Sequence, residues 1–237
     1  MKKAIIIGAT SGIGKALAEV MVEDGWQLGI TGRRAGLLEE IAARNPEVIE
    51  LAAFDLTADN ATSKLEEMIA AMGEIDLLVL SSGTGDLDSD LDPAITRRTN
   101  TLNVDAFSEV VLFAYKYFAG KGGGHIAAIT SVAGLRGGDD SPSYGASKAY
   151  QINFLEALRK RSLKLKENVS VTDLRPGSVD TDMMKGDGHF WISTPEKAAR
   201  TMYKGISKRK SVQYVTPRWR FIGGLLNIMP RKLYNRI

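Results

Sequence analysis

Apolar positions along the chain follow two alternating rhythms. Short, mainly apolar runs lie at residues 3–7, 26–31, 48–54, 75–81, 125–131, 169–174 and 212–216. Between them are longer stretches at 15–24, 35–44, 58–72, 93–120 and 141–166, with another opening at Thr194-Pro195-Glu196, where apolar residues recur every three or four positions. The first rhythm predicts strands buried on both faces, and the second predicts helices with one apolar stripe. Strand and helix alternate without repeats, linkers or low-complexity tracts. That order predicts an α/β fold: a doubly wound parallel sheet of about seven strands, with helices on both faces.

A chain of 237 residues can bury a full core. It reads as one domain over 1–216 with a C-terminal tail over 217–237. Apolar and charged fractions of 44% and 25% are ordinary for a soluble protein. No apolar run approaches the ~18 residues of a spanning helix, and the run after Lys2-Lys3 is too short for a signal peptide. With no cysteine, disulfides and thiol catalysis are excluded. His125 and His189 stand far apart without metal-ligand spacing, so no metal site is expected. A cytoplasmic protein is the expectation.

Charge changes the picture at one end. The tail holds Arg218, Arg220, Arg231, Lys232 and Arg236 and no acid, so the rest of the chain, less those five charges, is net −2 although the total is +3. A basic surface for nucleic acid across the body is not expected. Trp219, Phe221, Ile222, Leu225, Leu226, Ile228, Met229 and Leu233 are interleaved with the cations. Such a segment can pack over the domain, enter a subunit interface, or lie on an anionic membrane surface.

Candidate chemistry begins where the first run ends, at Gly8-Ala9-Thr10-Ser11-Gly12-Ile13-Gly14. Strand, glycine turn and helix in this order let a backbone approach a pyrophosphate held on the helix N-terminus. The second run ends in Thr31-Gly32-Arg33-Arg34, with no acid to hold a ribose 2′-hydroxyl. Arg33, with Arg34 beside it, can instead pair with a 2′-phosphate, which favours NADP(H) over NAD(H). Tyr144 and Lys148 stand at i and i+4, on one face of a helix. At an ammonium separation of about 4 Å and an effective dielectric of ~20, up to ~4 kcal/mol would stabilise a phenolate and bring the phenol towards ~7. Tyr144 could then act as a general acid or base.

Tyr144 and Lys148, with Ser131 thirteen positions before the tyrosine, Asn103 further back and the glycine loop, resemble the short-chain dehydrogenase/reductase family over roughly 3–215. The resemblance implies a Rossmann-like sheet and hydride transfer between nicotinamide C4 and a carbonyl or hydroxyl carbon. It implies Tyr144 as proton donor or acceptor, with Ser131 orienting the substrate oxygen. Lys148 would lower the phenol and bind the nicotinamide ribose, and Asn103 would anchor a water in a proton relay to the lysine. Asp55, followed by Leu56, would lie beside the adenine, although Asp55 could equally cap the next helix. Leu80-Ser81-Ser82-Gly83 stands where the family usually shows Asn-Asn-Ala-Gly, leaving Ser82 and Gly83 near the nicotinamide ribose. The turn at Pro176-Gly177, with Val179 and Thr181, would meet the carboxamide and a phosphate.

Residues 181–191 would close over a small carbonyl or alcohol substrate, partly hydrophobic in keeping with Met183, Met184, Phe190 and Trp191. The helices carrying Asn103 and Tyr144 would form the face of a homodimer or homotetramer. The expected activity is that of an NADP(H)-dependent carbonyl reductase or alcohol dehydrogenase. The alternatives are a non-catalytic dinucleotide-binding sensor or scaffold, and a membrane-surface reductase of lipid carbonyls.

Overall fold

The computed structural model describes residues 2–184 and 191–234. Its centre is β1 (Lys3–Ile7), which pairs in parallel with β2 (Gln27–Gly32) on one side and β4 (Leu77–Leu80) on the other. With β3 (Val48–Ala53), β5 (Gly124–Ile129), β6 (Val169–Arg175) and β7 (Val212–Tyr214) the sheet runs β3-β2-β1-β4-β5-β6-β7, all parallel. The doubly wound sheet predicted by the alternating pattern is therefore present. The strand order reverses between β1 and β4, and that reversal opens a crevice beyond their carboxyl ends.

Successive residues of β1 serve opposite cores, as the period of two requires. Ile5 and Ile7 pack with Leu65, Met68, Phe107, Val111 and Phe118, which come from α3 (Ala61–Met72) and α5 (Phe107–Gly120). Ala4 and Ile6 pack with Leu17, Met21, Leu38 and Met202 from α1 (Gly12–Glu23), α2 (Ala35–Arg44) and α7 (Pro195–Ser207). Ile5 and Ile6 are fully buried, each contributing roughly 1.5–3 kcal/mol.

Three local departures from the pattern bear on function. The helix expected over 93–120 is three segments: α4 (Pro93–Asn100), a π-helical turn (Thr101–Ala106), then α5. Asp92 caps α4 through Ala94 N at 2.8 Å, with Pro93 in the first turn. The wide turn carries Asn103, whose inward side chain is held by backbone of the loop after β4; apolar periodicity carries no sign of such a turn. Next, β5 ends at Ile129, so Ser131 lies beyond the strand and caps the short 3₁₀ turn Val132–Gly134 by accepting from Ala133 N at 3.1 Å. Finally, the described part of the tail forms α8 (Pro217–Ile228) and α9 (Arg231–Tyr234), with Met229 O bonded to Arg136 and Tyr234 to Gly137 O. The long helix α6 (Pro142–Leu165) carries Tyr144 and Lys148.

Candidate active site

The crevice holds a cavity of about 610 Å³. Its floor is the glycine loop. Gly8 has φ +86°, the left-handed region that favours glycine, and its N–H donates to Thr31 O at 2.8 Å. A Cβ on Gly14 would run into the Gly8 carbonyl, so the loop closes only without a side chain there. At the far end Arg34 Nη2 donates to both Thr10 Oγ1 and Ser11 Oγ at 2.8 Å. A guanidinium thus lies against Ser11. Arg33 also lines the cavity, close enough to Asp55 to help hold its carboxyl below the usual range. The larger causes of that lowering are hydrogen bonds from the Thr57 N–H and hydroxyl. Asp55 therefore forms a local turn with Thr57, while the residue capping α3 is Asn60.

Tyr144 and Lys148 both line the cavity, with Lys148 Nζ 5.7 Å from the Tyr144 ring centroid. The lysine is almost wholly buried; its ammonium donates to Ile129 O at 3.1 Å and to Gln151 Oε1 at 2.9 Å. Burial lowers its pKa to about 8, partly offset by the charge of Asp173. Burial also pushes the Tyr144 phenol up, and a hydrogen bond with Ser131 pulls it only partly back. This corrects the expectation of a phenol drawn towards neutrality by an ammonium about 4 Å away: the lysine is engaged with Ile129 and Gln151, and desolvation dominates the phenol.

Asn103 lies buried behind this pair. Its Nδ2 donates to Thr84 O at 2.7 Å and to Ser147 Oγ at 3.0 Å, and its Oδ1 accepts from Thr84 N at 2.9 Å. Ser147 in turn donates to Tyr144 O at 2.8 Å. Asn103 therefore ties the loop after β4 to the helix bearing the tyrosine. Its backbone carbonyl accepts from Gln151 Nε2 at 2.8 Å. Gln151, fully buried, spans Asn103 and Lys148 directly, which the sequence reading missed. Its position three residues after Lys148 was the available signal, since i and i+3 share a helix face.

Of the other expected contacts, Thr10, Ser11, Gly12, Ile13, Leu56, Ser82, Gly83 and Thr181 line the cavity with Gly8 and Asp55. The Thr181 methyl stands over Gly12, where a Cβ would meet it at 3.2 Å. Gly14, Pro176, Gly177 and Val179 stand behind the wall. Pro176 O accepts from Val132 N at 3.0 Å, Gly177 lies beneath the Trp219 indole, and Val179 bridges to Ser193. Residues 185–190 of the expected lid, with His189 and Phe190, and Arg236 of the tail lie outside the described residues. The cavity also takes in Arg98, paired with Asp86 at 3.0 Å, which no motif marked. Beneath the site Asp173, fully buried, accepts from Thr130 Oγ1 at 2.6 Å and pairs with Arg175. Among the described residues no cluster of three His, Cys, Asp or Glu could hold a metal ion.

The arrangement can bind a dinucleotide along the glycine loop and present a protonated phenol and a buried ammonium at one end, with Ser131 hydrogen-bonded to the phenol but set back from the cavity wall. Known proteins resemble the chain as a whole. Residues 2–189 match the family model described as short chain dehydrogenase. The serine 3-dehydrogenase of Agrobacterium fabrum is 30% identical over 216 residues, covering 86% of this chain and 80% of that one. The NADP-dependent 3-hydroxy acid dehydrogenase of Schizosaccharomyces pombe is 28% identical over 235 residues, covering 89% of each. A short-chain dehydrogenase from Sphingobium yanoikuyae in complex with NADPH superposes with a TM-score of 0.82 at 22% identity, over 98% of this chain and 97% of that one. With the family model spanning most of the chain and the fold matching throughout, this chain belongs to the short-chain dehydrogenase family of oxidoreductases.

Proposed function

We propose that the chain is an NADP(H)-dependent carbonyl reductase or alcohol dehydrogenase in which Tyr144 handles the proton. The observation that carries this reading is the single cavity reached both by the Tyr144–Lys148 pair and by a glycine loop with Arg34 fastened across its far end. The residues fit a dinucleotide: the loop closes tightly because a Cβ on Gly8 would strike Ser82 and one on Gly14 the Gly8 carbonyl, and Thr10, Ser11 and Gly12 offer donors at the start of α1. Arg33 and Arg34 would hold a 2′-phosphate, with Asp55 and Leu56 on the adenine side and Ser82, Gly83 and Thr181 towards the nicotinamide half. A bound nicotinamide supplies the hydride.

Everything else falls to the chain. A phenol held above its ordinary range is protonated at neutral pH, which suits an acid that gives its proton to a carbonyl oxygen during reduction. Ser131 orients that oxygen, and its hydrogen bond eases the charge left on the phenolate. Lys148, with a pKa near the working range at about 8, returns a proton to Tyr144 after turnover. Asn103 keeps the loop after β4 and helix α6 in register around the reacting atoms. The substrate is a small carbonyl or alcohol, partly hydrophobic in keeping with Met183 and Leu102 on the cavity wall. We further propose a homodimer or homotetramer assembled through α4–α5 and α6, and a cytoplasmic location.

The test is oxidation of NADPH and of NADH over ketones, aldehydes, steroids, sugars and 3-oxoacyl chains. Turnover with NADPH preferred is the expected result. Tight NADPH binding without turnover anywhere on the panel would instead make the chain a non-catalytic sensor.

A further inference from the structure

Helix α8 has two apolar edges, and the domain covers one of them. On the inner edge Trp219 lies over Gly177 and meets Trp191 edge to face at 5.7 Å, while Gly223 sits against Leu135 and Tyr214. Arg136 locks the end of the tail by donating to Met229 O at 3.1 Å and stacking on the Tyr234 ring at 4.6 Å. Tyr234 donates to Gly137 O at 2.6 Å. The helix is thus fixed in orientation.

The outer edge is left to solvent. Phe221 is 79% exposed, Leu225 56% and Ile228 79%, at i, i+4 and i+7 along one stripe, and Leu233 on α9 is 53% exposed. Arg218, Arg220, Arg231 and Lys232 are exposed around that stripe, and no acid occurs from residue 217 onward.

We infer that this face docks on an anionic lipid surface. An apolar stripe rimmed by cations meets that partner on both counts: the side chains enter the acyl boundary while the cations meet headgroup charge. A second copy of the chain suits it poorly, because a two-fold contact would set the same cations against themselves. Among the described residues no helix is long and apolar enough to cross a membrane. Docking would also bring Trp191, held between Arg218 and Trp219, close to the lipid.

The experiment is co-sedimentation of the full chain with vesicles of phosphatidylcholine alone or with phosphatidylserine, at low and high salt. Strong partition to the anionic vesicles is expected, falling at least tenfold in high salt and on neutral vesicles. The exposed-face variant Phe221→Ser/Ile228→Ser and the charge variant Arg218→Glu/Arg220→Glu should each lose tenfold or more while keeping the wild-type melting curve. Either variant suffices if the other fails to fold. Equal binding to neutral and anionic vesicles, or none to either, would overturn the inference. So would a Phe221→Ser/Ile228→Ser change that turns a dimer into a monomer with vesicle binding unaltered, which would make the stripe a contact between copies.

Discussion

Replacing Gln151 with Met keeps the side chain's length and removes both ends of its amide. In the structure that amide accepts from Lys148 Nζ at 2.9 Å and donates to Asn103 O at 2.8 Å, with Gln151 fully buried. A hydrogen bond to a charged group contributes about 1.5–3 kcal/mol, and ~1.4 kcal/mol corresponds to one pH unit of titration. Lys148 already lies at about 8, chiefly because burial disfavours the ammonium. Losing the acceptor disfavours the ammonium further, so it would release its proton roughly one to two pH units lower. The assay is kcat/KM for NADPH-dependent reduction across pH. In the wild type activity should fall as pH rises through about 8, where Lys148 loses its charge. In Gln151→Met the same limb moves down by roughly one to two pH units. In Gln151→Glu, which sets a carboxylate beside the ammonium, it moves up. Refutation would be an alkaline limb in the same place for all three proteins, each with a native melting curve.

Other perturbations test separate parts of the account. Arg34→Ala removes the guanidinium from Thr10 and Ser11. It should weaken NADPH binding about tenfold or more and leave NADH nearly unchanged in fluorescence titrations. His125, buried against Thr172, has its pKa lowered to about 4 by burial first and Arg209 second. The unfolded imidazole, near ~6.5, then takes up a proton before the native one, so stability is whole above that value and lost as pH falls towards 4. Urea unfolding should show the wild type losing about 2 kcal/mol more than His125→Gln between pH 7.5 and pH 5.

Much of the fold was legible because its strands are buried on both faces. Ile5, Ile6 and Ile7 can form a continuous apolar run only where helices cover both sides of β1, and the glycine loop after them has few alternative uses. Site residues tied to rigid spacing were legible for the same reason: Tyr144 and Lys148 share a face wherever residues 144–148 are helical. What escaped was whatever depends on partners distant in sequence. The π-helical turn at Asn103 is fixed by the Thr84 backbone, nineteen residues away, and leaves no mark on local periodicity. Gln151 and Asp173 act through a lysine whose surroundings are known only once β5, β6 and α6 are assembled. The phenol's direction escaped because spacing gives neighbours but not desolvation, which here outweighs the hydrogen bond with Ser131.

The most direct test of the central claim is Tyr144→Phe, with single-turnover reduction and NADPH dissociation measured on the same preparation. Loss of the proton donor should cut the chemical step by roughly 10²–10⁴-fold and leave NADPH affinity unchanged, because Arg34 and the glycine loop are untouched. Turnover within about tenfold of the wild type would contradict it, since a general acid is not that dispensable.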